Sequence, residues 1–352
     1  MRRSIAAVVV GAVALGVSAC GSSSDNSGSS SAGSGSSSTT ASSAPSTNGI
    51  KVAYASALDP NDVADQFGLQ AAGAKVQTLN DDSAVIAGLQ RKSIDVGNVD
   101  FDQAASAVAK GLPIKVIYVA QTTPEYVLVG DPDVATMSDL AGKKIGYQGP
   151  GSQTEIFVKN IVKQKVPAIA DKVKFISLAE SSRRAQAMVA NQLDASSLES
   201  INYAQLKKRG DYHLLASWSD LAGGAGQAVG TAWIVTDAEY QKDGQRLTEF
   251  VGDLQKGYNE AYKDKNAWVA EAKKTLPDLD ASLLPDVYDV YVSRKMYPQA
   301  GTPALTPATW SANESFWRGL GEWDKPLDSS FIAFDTIDAG SAETATTGAA
   351  AG

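Results

Sequence analysis

Cysteine, histidine and surplus positive charge are what this 352-residue sequence lacks. It has a single cysteine and a single histidine, so zinc clusters, iron–sulfur sites and disulfide frameworks are excluded, because each needs several such side chains. Lys and Arg total 31 against 39 Asp and Glu, and the formal net charge is −8. A negative chain repels phosphate backbones, so nucleic acid is not an expected partner.

The N-terminus carries an apolar run that is too short to cross a bilayer. Two arginines precede apolar residues 5–17, a pattern typical of a secretory signal peptide, whereas a membrane-spanning helix needs roughly 20 apolar residues. The following Ser18-Ala19-Cys20 resembles a bacterial lipobox, in which a cysteine is lipidated and becomes the mature N-terminus. We predict a signal peptide over residues 1–19 and a lipid anchor at Cys20, on the extracytoplasmic side of the cell membrane. An ordinary secretory signal that contains a cysteine is the alternative.

The segments that flank the central body have compositions that cannot form a core. Residues 20–49 are rich in Ser and Gly and have no aliphatic side chain larger than alanine, so we predict a flexible tether. A coil of this length has an end-to-end distance of roughly 30 Å, which keeps a domain near a membrane. Residues 338–352, rich in Ala, Thr and Gly, are predicted to be a disordered tail.

Residues 50–337 alternate short β-branched runs with helical stretches. This alternation predicts an α/β fold in which parallel strands are joined by crossover helices. One β-α-β-α-β unit begins at Ile50 and a second begins near Tyr126. Residues 227–236 form another extended run, and the remaining residues have helical spacing with one apolar stripe at Phe250, Leu254, Tyr258 and Tyr262.

Five short strings in this body resemble motifs of one known family. They are AGLQRKSIDVG at residues 87–97, AKGLPIKV at 109–116, SDLAGKKIG at 138–146, GPGS at 149–152 and ANQLDA at 190–195. In this order and spacing they resemble the substrate-binding proteins of ABC importers for nitrate, sulfonate, taurine and thiamine precursors. The first loop, residues 55–60, departs from the family because it lacks the aromatic or basic residue often found there.

The resemblance implies a bilobal α/β structure, the type II periplasmic-binding-protein fold, in which two doubly wound sheets are joined by a two-strand hinge. Lobe 1 would then comprise residues 50–122 and 228–337, and lobe 2 would comprise residues 123–227. The resemblance also implies a small-molecule ligand, an ABC permease as the membrane partner, and a monomer that opens and closes. It implies no cofactor and no metal.

The start of a predicted helix in lobe 2 is a candidate anion site. Ligands of open α/β sheets bind beyond the carboxyl ends of strands, beside helix N-termini. Ser152, Gln153 and Thr154 offer hydroxyls, backbone N–H groups and the positive end of a helix dipole to a sulfonate or carboxylate. A simple helix cap is the alternative role for Ser152. Arg183 or Arg184 is a second candidate for holding a carboxylate.

Other candidate ligand-binding residues are polar or aromatic side chains at predicted strand ends: Ser56, Asp82, Ser83, Asp100, Phe101 and Glu199. A carboxylate that faces the cleft repels a simple anion and favours a ligand that carries an amine or amidine. Helix capping is the alternative role for several of these side chains, and Ser83 in particular is a predicted cap.

These features together predict an extracytoplasmic solute-binding lipoprotein. It would capture a small polar organic molecule, such as a sulfonate, a taurine-like compound or a carboxylate, and deliver it to an ABC permease. A thiamine-type pyrimidine precursor is the alternative ligand. The alternative functions are a sensory lipoprotein without transport and an enzyme on the same scaffold. With one histidine and no cysteine in the body, no catalytic residue is predicted.

Overall fold

The structure is a computed structural model that describes residues 47–150, 152–223, 226 and 228–342. The predicted signal peptide, the predicted lipidation site Cys20 and residues 20–46 of the predicted tether lie outside the described residues, as do residues 343–352. In the described part of the chain, every helix is too short or too polar to span a bilayer.

Strands and helices largely alternate as far as the last strand, and helices follow it. The described strands are β1 (Lys51–Tyr54), β2 (Lys75–Thr78), β3 (Val96–Asp100), β4 (Ile114–Val119), β5 (Val127–Gly130), β6 (Lys144–Tyr147), β7 (Lys174–Ser177), β8 (Ala195–Leu198), β9 (His213–Ser217) and β10 (Thr231–Thr236). The described α-helices are α1 (Val63–Ala71), α2 (Asp82–Gln90), α3 (Phe101–Ala109), α4 (Gln153–Lys165), α5 (Ser181–Val189), α6 (Ser200–Lys207), α7 (Asp237–Lys242), α8 (Gly244–Lys263), α9 (Lys265–Thr275), α10 (Leu284–Ser293), α11 (Pro307–Gly319) and α12 (Phe334–Ala342).

Two five-stranded sheets, one in each lobe, organise these elements. The lobe 1 sheet has the order β2-β1-β3-β10-β4, with β1 parallel to β2 and β3 and with β10 antiparallel to β3 and β4. The lobe 2 sheet has the order β7-β6-β8-β5-β9, with β6 parallel to β7 and β8 and with β5 antiparallel to β8 and β9. Both sheets are therefore mixed rather than parallel throughout. In each, the antiparallel strand is the one that arrives from the other lobe.

The chain crosses between the sheets twice, after β4 and after β9. The two crossings are hydrogen-bonded to each other: the Gln121 N–H donates to the Thr231 carbonyl at 3.2 Å, and the Gly230 N–H donates to the Gln121 carbonyl at 3.0 Å. Gly230 has no room for a side chain, because a Cβ there would lie 2.9 Å from both Gln121 Oε1 and the Thr123 carbonyl oxygen. These paired crossings form the two-strand hinge of the fold.

Helix α8 packs against lobe 1 through the apolar stripe that its spacing predicted. Phe250, Leu254 and Tyr258 are fully buried on it. Its approach to α1 requires glycine on both helices, since a Cβ on Gly68 would lie 2.5 Å from Leu254 Cα and one on Gly257 would lie 2.5 Å from the Gly68 nitrogen. This close packing fixes α1, which follows the cavity loop described below.

The structure differs from several local expectations. Helix α2 is capped by Asp81, whose Oδ1 accepts from the Ala84 N–H at 2.7 Å, and not by Ser83. Helix α12 extends to Ala342, inside the predicted disordered tail, because Ile337 is buried and holds the helix on lobe 1. Thr47, assigned to the tether, is also buried. Strand β9 and helix α6 were not predicted.

Candidate functional site

A cavity of about 360 Å³ lies between the two lobes. The parallel strands of both sheets end beside it, as the rule for open α/β sheets requires. Lobe 1 contributes the loop after β1, the start of α2 and the end of β3, and lobe 2 contributes the segment before β5 and the starts of α4 and α6. Its polar lining includes Asp59, Asp62, Asp82, Asn98, Asp100, Glu125, Tyr126, Gln153 and Glu199.

The loop after β1 and the first turn of α1 together hold three carboxylates. Asp59 Oδ1 accepts from the Asn61 N–H at 2.8 Å, and the Asp59 N–H donates to Asp62 Oδ2 at 2.9 Å, so the pair caps a short helix. Asp65 is buried and accepts from the Tyr54 hydroxyl at 2.9 Å. Capping explains why Asp59 and Asp62 stand here, yet it leaves their charges at the wall of the cavity.

The end of β3 places an amide and a carboxylate in the same wall. Asn98 is 4% exposed and lines the cavity, and no described residue forms a hydrogen bond with its Nδ2. Asp100 stands at the start of α3, but its carboxylate makes no capping hydrogen bond. Its N–H donates to Asp82 Oδ1 at 3.0 Å. Asp82 thereby holds the backbone at the point where Asp100 meets the cavity.

Lobe 2 supplies two further carboxylates and a buried arginine. Glu125 Oε2 accepts from the Tyr291 hydroxyl at 3.0 Å. Glu199 directly precedes α6 without capping it through its side chain, and its N–H donates to Ser181 Oγ at 3.0 Å. Arg184 is 1% exposed and donates to three backbone carbonyls at 2.7–2.9 Å. The guanidinium therefore stabilises lobe 2 and does not act as the predicted carboxylate clamp.

Negative charge dominates the lining. None of the described lining residues is Lys, Arg or His. Seven are acidic: Asp59, Asp62, Asp81, Asp82, Asp100, Glu125 and Glu199. Within the described ranges, no group of three or more His, Cys, Asp or Glu is arranged to hold a metal ion. Like charges gathered away from water are unfavourable unless they are paired or protonated.

Burial and mutual repulsion raise the pKa values of these carboxyl groups. Burial raises the pKa of Asp59 to about 7, with the Glu199 charge adding to the effect. Burial and then the charges of Asp102 and Asp82 raise the pKa of Asp100 well above its usual value. Burial also raises the pKa of Glu199, but here the nearby Arg184 guanidinium opposes the shift. In the lobe 1 wall, no cation from the described residues opposes the raised pKa values of Asp59 and Asp100.

Hydrogen bonds join the lobes around the cavity. Gln153 Nε2, at the start of α4, donates to Asp102 Oδ1 in α3 at 2.6 Å. Lys208 Nζ, just beyond α6, donates to the carbonyl and the hydroxyl of Ser282, both at 2.6 Å. The structure thus describes the two lobes in contact, with the cavity between them.

Five predicted ligand-binding residues line the cavity: Ser56, Asp82, Asp100, Gln153 and Glu199. Two others from lobe 1 do not. Ser83 is exposed and faces a separate hollow beside α2. Phe101 is fully buried and packs edge-on against Trp310 with ring centroids 5.8 Å apart, because its apolar ring belongs to the core of lobe 1.

The predicted anion site at the start of α4 uses its hydroxyls internally. Ser152 Oγ accepts from the Glu155 N–H at 3.2 Å and lies 2.9 Å from Thr154 Oγ1. Thr154 is fully buried, and its hydroxyl accepts from the Gln148 N–H at 2.8 Å. Both hydroxyls stabilise the helix start and neither lines the cavity, so only Gln153 of this group remains in the site.

Asp59, Asp62 and Glu125 are cavity residues that were not predicted from the sequence. Each resembles an ordinary loop or cap residue, and Glu125 reaches the cavity only because the hinge brings it there. The spacing of Asp59, Asp62 and Asp65 at intervals of three was a usable signal. It puts three like charges on one side of a helical turn, which needs a compensating interaction.

The family model described as "NMT1/THI5 like" matches residues 68–267. No curated protein matches the sequence significantly. Among solved structures, an ABC transporter protein from Parabacteroides distasonis is 15% identical with a TM-score of 0.64, over 81% of this chain and 98% of that one. The periplasmic aliphatic sulphonate binding protein of Escherichia coli is 14% identical with a TM-score of 0.63, over 81% and 91%.

A third similar structure is the ligand binding component of an ABC-type import system from Staphylococcus aureus, solved with zinc bound. It is 11% identical with a TM-score of 0.63, over 83% of this chain and 98% of that one. At such identities these likenesses establish the fold, and the fold is that of the periplasmic binding proteins.

Proposed function

The chain belongs to the NMT1/THI5-like family, and from this premise we propose that it is the solute-binding component of an ABC importer. In this role it closes its lobes over a small polar organic molecule, presents that molecule to a permease, and releases it chemically unchanged. The observation that carries the proposal is the cavity between the lobes, whose walls come from both sheets and are joined by Gln153 and Asp102.

The cavity is suited to capture by closure. A ligand that contacts both walls favours the closed state through its higher affinity for that state. Asp100 from lobe 1 and Glu199 from lobe 2 both line the cavity and neither caps its helix, so each carboxylate remains for a ligand. A ligand between them links the lobes, as the mechanism requires.

The proposal extends to the location of the protein. Cys20 would carry the lipid anchor, and the Ser- and Gly-rich segment after it would hold the two lobes near the extracytoplasmic face of the membrane as a monomer. Cys20→Ala is then expected to release the protein from the membrane fraction without changing ligand affinity. A variant shown by mass to lack lipid but still bound to membranes contradicts the anchor.

The charge of the cavity discriminates among the ligands suggested by the sequence. Nitrate, a plain sulfonate or a plain carboxylate meets seven acidic side chains and no basic one among the described lining residues. A taurine-like molecule fits better, because its ammonium group is attracted where its sulfonate is repelled. Charge therefore favours ligands with an amine over the simple anions.

Native mass spectrometry of the protein purified from its own cells tests the solute-binding role. We expect a small molecule to be retained, and to be lost after denaturation and refolding. Adding the identified molecule back should lower the radius of gyration in small-angle scattering and raise the thermal midpoint by mass action. If no small molecule from cells or growth medium binds the refolded protein, the proposed function is wrong.

A further inference from the structure

One buried amide in the cavity wall has an unused donor. Asn98 lies in β3 between β1 and β10, where it is opposite Tyr54 and Trp233. It is 4% exposed, and its Nδ2 has no hydrogen-bond partner among the residues that the structure describes. An amide N–H₂ that is buried without an acceptor is unfavourable, because it has lost its hydrogen bonds to water. Because Asn98 lines the cavity, a hydrogen-bond acceptor on a bound molecule would remove this cost.

The negative charge around the Asn98 amide also lacks a basic partner among the described lining residues. Asp59, Asp62, Asp82 and Asp100 all come from lobe 1, and no basic residue is among the described lining residues. Buried charges in proteins are normally paired with opposite charges. On the lobe 2 side, the Arg184 guanidinium donates to backbone carbonyls instead. The negative charge of this wall is then relieved either by protonation of the carboxyl groups or by a cation from outside the chain.

We propose that the cavity binds an organic cation, with an ammonium or amidinium group among the lobe 1 carboxylates and a hydrogen-bond acceptor of the same molecule at Asn98. The inference rests on the solute-binding role proposed above and names the class of solute. The start of α4 offers no free hydroxyl to an anionic group, since Ser152 and Thr154 bond within the helix start. The cation is therefore the part of the ligand that determines affinity.

An organic cation suits the cavity better than a metal ion. The space of about 360 Å³ accommodates a small organic molecule and far exceeds one ion with its ligands. Across the described residues, no group of three or more carboxylate, imidazole or thiolate side chains is placed to hold a metal. A charged nitrogen with several N–H donors can instead be shared by carboxylates that are spread over a wall.

Binding of a cation should release protons. Burial and the charges of Asp102 in α3, Asp82 at the start of α2 and Asp59 in the loop after β1 raise the pKa of Asp100, and burial and the Asp100 charge raise the pKa of Tyr126 before β5. Asp59 in turn faces Glu199 at the start of α6, and Arg184 faces Glu199. These carboxyl groups hold protons more tightly than exposed ones do, because burial and repulsion raise their pKa values. A cation that enters favours the ionised forms, so affinity should rise with pH.

The experiment begins with the molecule retained by protein purified from cells, identified by mass spectrometry after denaturation. We expect a molecule with a basic nitrogen that is protonated at neutral pH. Titration calorimetry of the refolded full chain with this molecule, in two buffers of different ionisation enthalpy, should show net proton release near pH 6.5. Affinity should fall about tenfold between pH 7.5 and pH 5.5, since the pKa of Asp59 is about 7.

Two variants connect the cation to lobe 1. Asp100→Asn keeps the shape of the side chain and removes its charge, and it should weaken binding at least tenfold. Asn98→Leu removes the donor and should weaken binding several-fold without changing the number of protons released. Asp133→Asn is the matched control, because Asp133 is an exposed carboxylate outside the cavity lining. It should bind as the parent protein does.

The outcomes separate this inference from the solute-binding role. A retained ligand that is neutral or purely anionic overturns the cation and leaves the binding function intact. Zinc, calcium or magnesium chloride added alone, if it binds stoichiometrically and displaces the retained molecule, also overturns the organic cation. An Asp100→Asn variant that binds as tightly as Asp133→Asn does the same. Absence of any bound molecule contradicts the proposed function itself.

Discussion

The two lobes repeat one arrangement of backbone and differ in a few charged side chains. The Lys51 N–H at the start of β1 donates to Asp95 Oδ2 at 2.9 Å, and the Lys144 N–H at the start of β6 donates to Asp194 Oδ2 at 2.7 Å. Each of these aspartates lies three residues after a residue with positive φ: Lys92 has φ 59° and Asn191 has φ 55°. Both turns lead into the third parallel strand of their sheet, so the repeat includes the route to the cavity.

The correspondence continues to the cavity itself. The Asp100 N–H donates to Asp82 18 residues before it, and the Glu199 N–H donates to Ser181, also 18 residues before it, both at 3.0 Å. Both acceptors are the first residues of their helices, and both acidic residues begin the next helix uncapped. The Asp82 carboxylate in lobe 1 thus accepts the same backbone hydrogen bond that the Ser181 hydroxyl accepts in lobe 2.

A second difference concerns what lies beneath these helices. Three residues after Asp82, lobe 1 has the apolar Val85, whereas three residues after Ser181, lobe 2 has Arg184, and both are buried. The arginine opposes the raised pKa of Glu199, and nothing equivalent acts on Asp100. The shared hydrogen bonds belong to the fold, and the differing side chains leave the uncompensated negative charge in lobe 1. That wall should therefore determine the charge of the ligand.

Removing the lobe 2 arginine should have the largest effect of the tests considered. Arg184→Ala leaves three backbone carbonyls without their donor and removes the cation near Glu199. We expect the free energy of unfolding to fall by about 3 kcal/mol or more in urea titrations of the ligand-free protein. Val85→Ala, at the corresponding place in lobe 1, should cost about 1–2 kcal/mol through lost apolar burial alone.

The neighbouring arginine provides a control for this test. Arg183 is exposed and forms a surface ion pair with Glu180 at 3.3 Å, so Arg183→Ala should change stability by less than about 1 kcal/mol. If Arg184→Ala costs no more than Arg183→Ala, the guanidinium does not hold lobe 2 together, and the proposed contrast between the lobes loses its structural basis.

Sequence reasoning identified the parts of this arrangement that depend on local rules. Asp100 and Glu199 were selected because they follow buried strands, and both line the cavity. Phe101 and Thr154 were selected by the same rule but point into the core or into their own helix start, since adjacent residues at a helix start face different sides. The position of a strand end can be predicted from the sequence. The direction in which a side chain at the following helix start points depends on how that helix packs.

The remaining parts depend on tertiary structure. Glu125 meets Tyr291 of α10, which is 166 residues away in the chain, so no local pattern indicates its place in the cavity. The 18-residue spacing shared by the lobes was not recognised in the sequence, because no local pattern links Asp82 to Asp100 or Ser181 to Glu199. Its meaning becomes clear once both acceptors are seen to bind the N–H of a cavity residue.

An exchange of the corresponding acceptors should have an intermediate effect. Asp82→Ser keeps an oxygen that can accept from the Asp100 N–H, as Ser181 does for Glu199, but removes one charge from the lobe 1 wall. We expect affinity for the ligand retained from cells to fall about tenfold, equivalent to about 1.4 kcal/mol, with little loss of folding stability. Calorimetry on the variant measures this, with Asp133→Ser as the control for net charge. Equal affinities for the two variants would show that Asp82 only accepts the Asp100 N–H hydrogen bond and that its charge does not contribute to ligand binding.

The smallest expected effect concerns the hydrogen bond between the lobes. Asp102 accepts from Gln153 of lobe 2 through Oδ1 at 2.6 Å and from Gln103 of lobe 1 through Oδ2 at 3.0 Å. The two glutamines offer the same chemistry to one carboxylate, but only Gln153 crosses the cleft. Gln153→Ala should therefore weaken the closed state by about 1 kcal/mol, the typical net contribution of one hydrogen bond.

Small-angle scattering of the ligand-free and ligand-saturated proteins distinguishes the two glutamines. Gln153→Ala should enlarge the ligand-free radius of gyration and reduce affinity several-fold, because ligand must then supply more of the free energy of closure. Gln103→Ala removes a hydrogen bond from the same acceptor within lobe 1, so it should leave both measurements unchanged. Should the two variants behave alike, Asp102 influences binding only through its charge near Asp100, and closure depends on the ligand and the remaining contacts between the lobes.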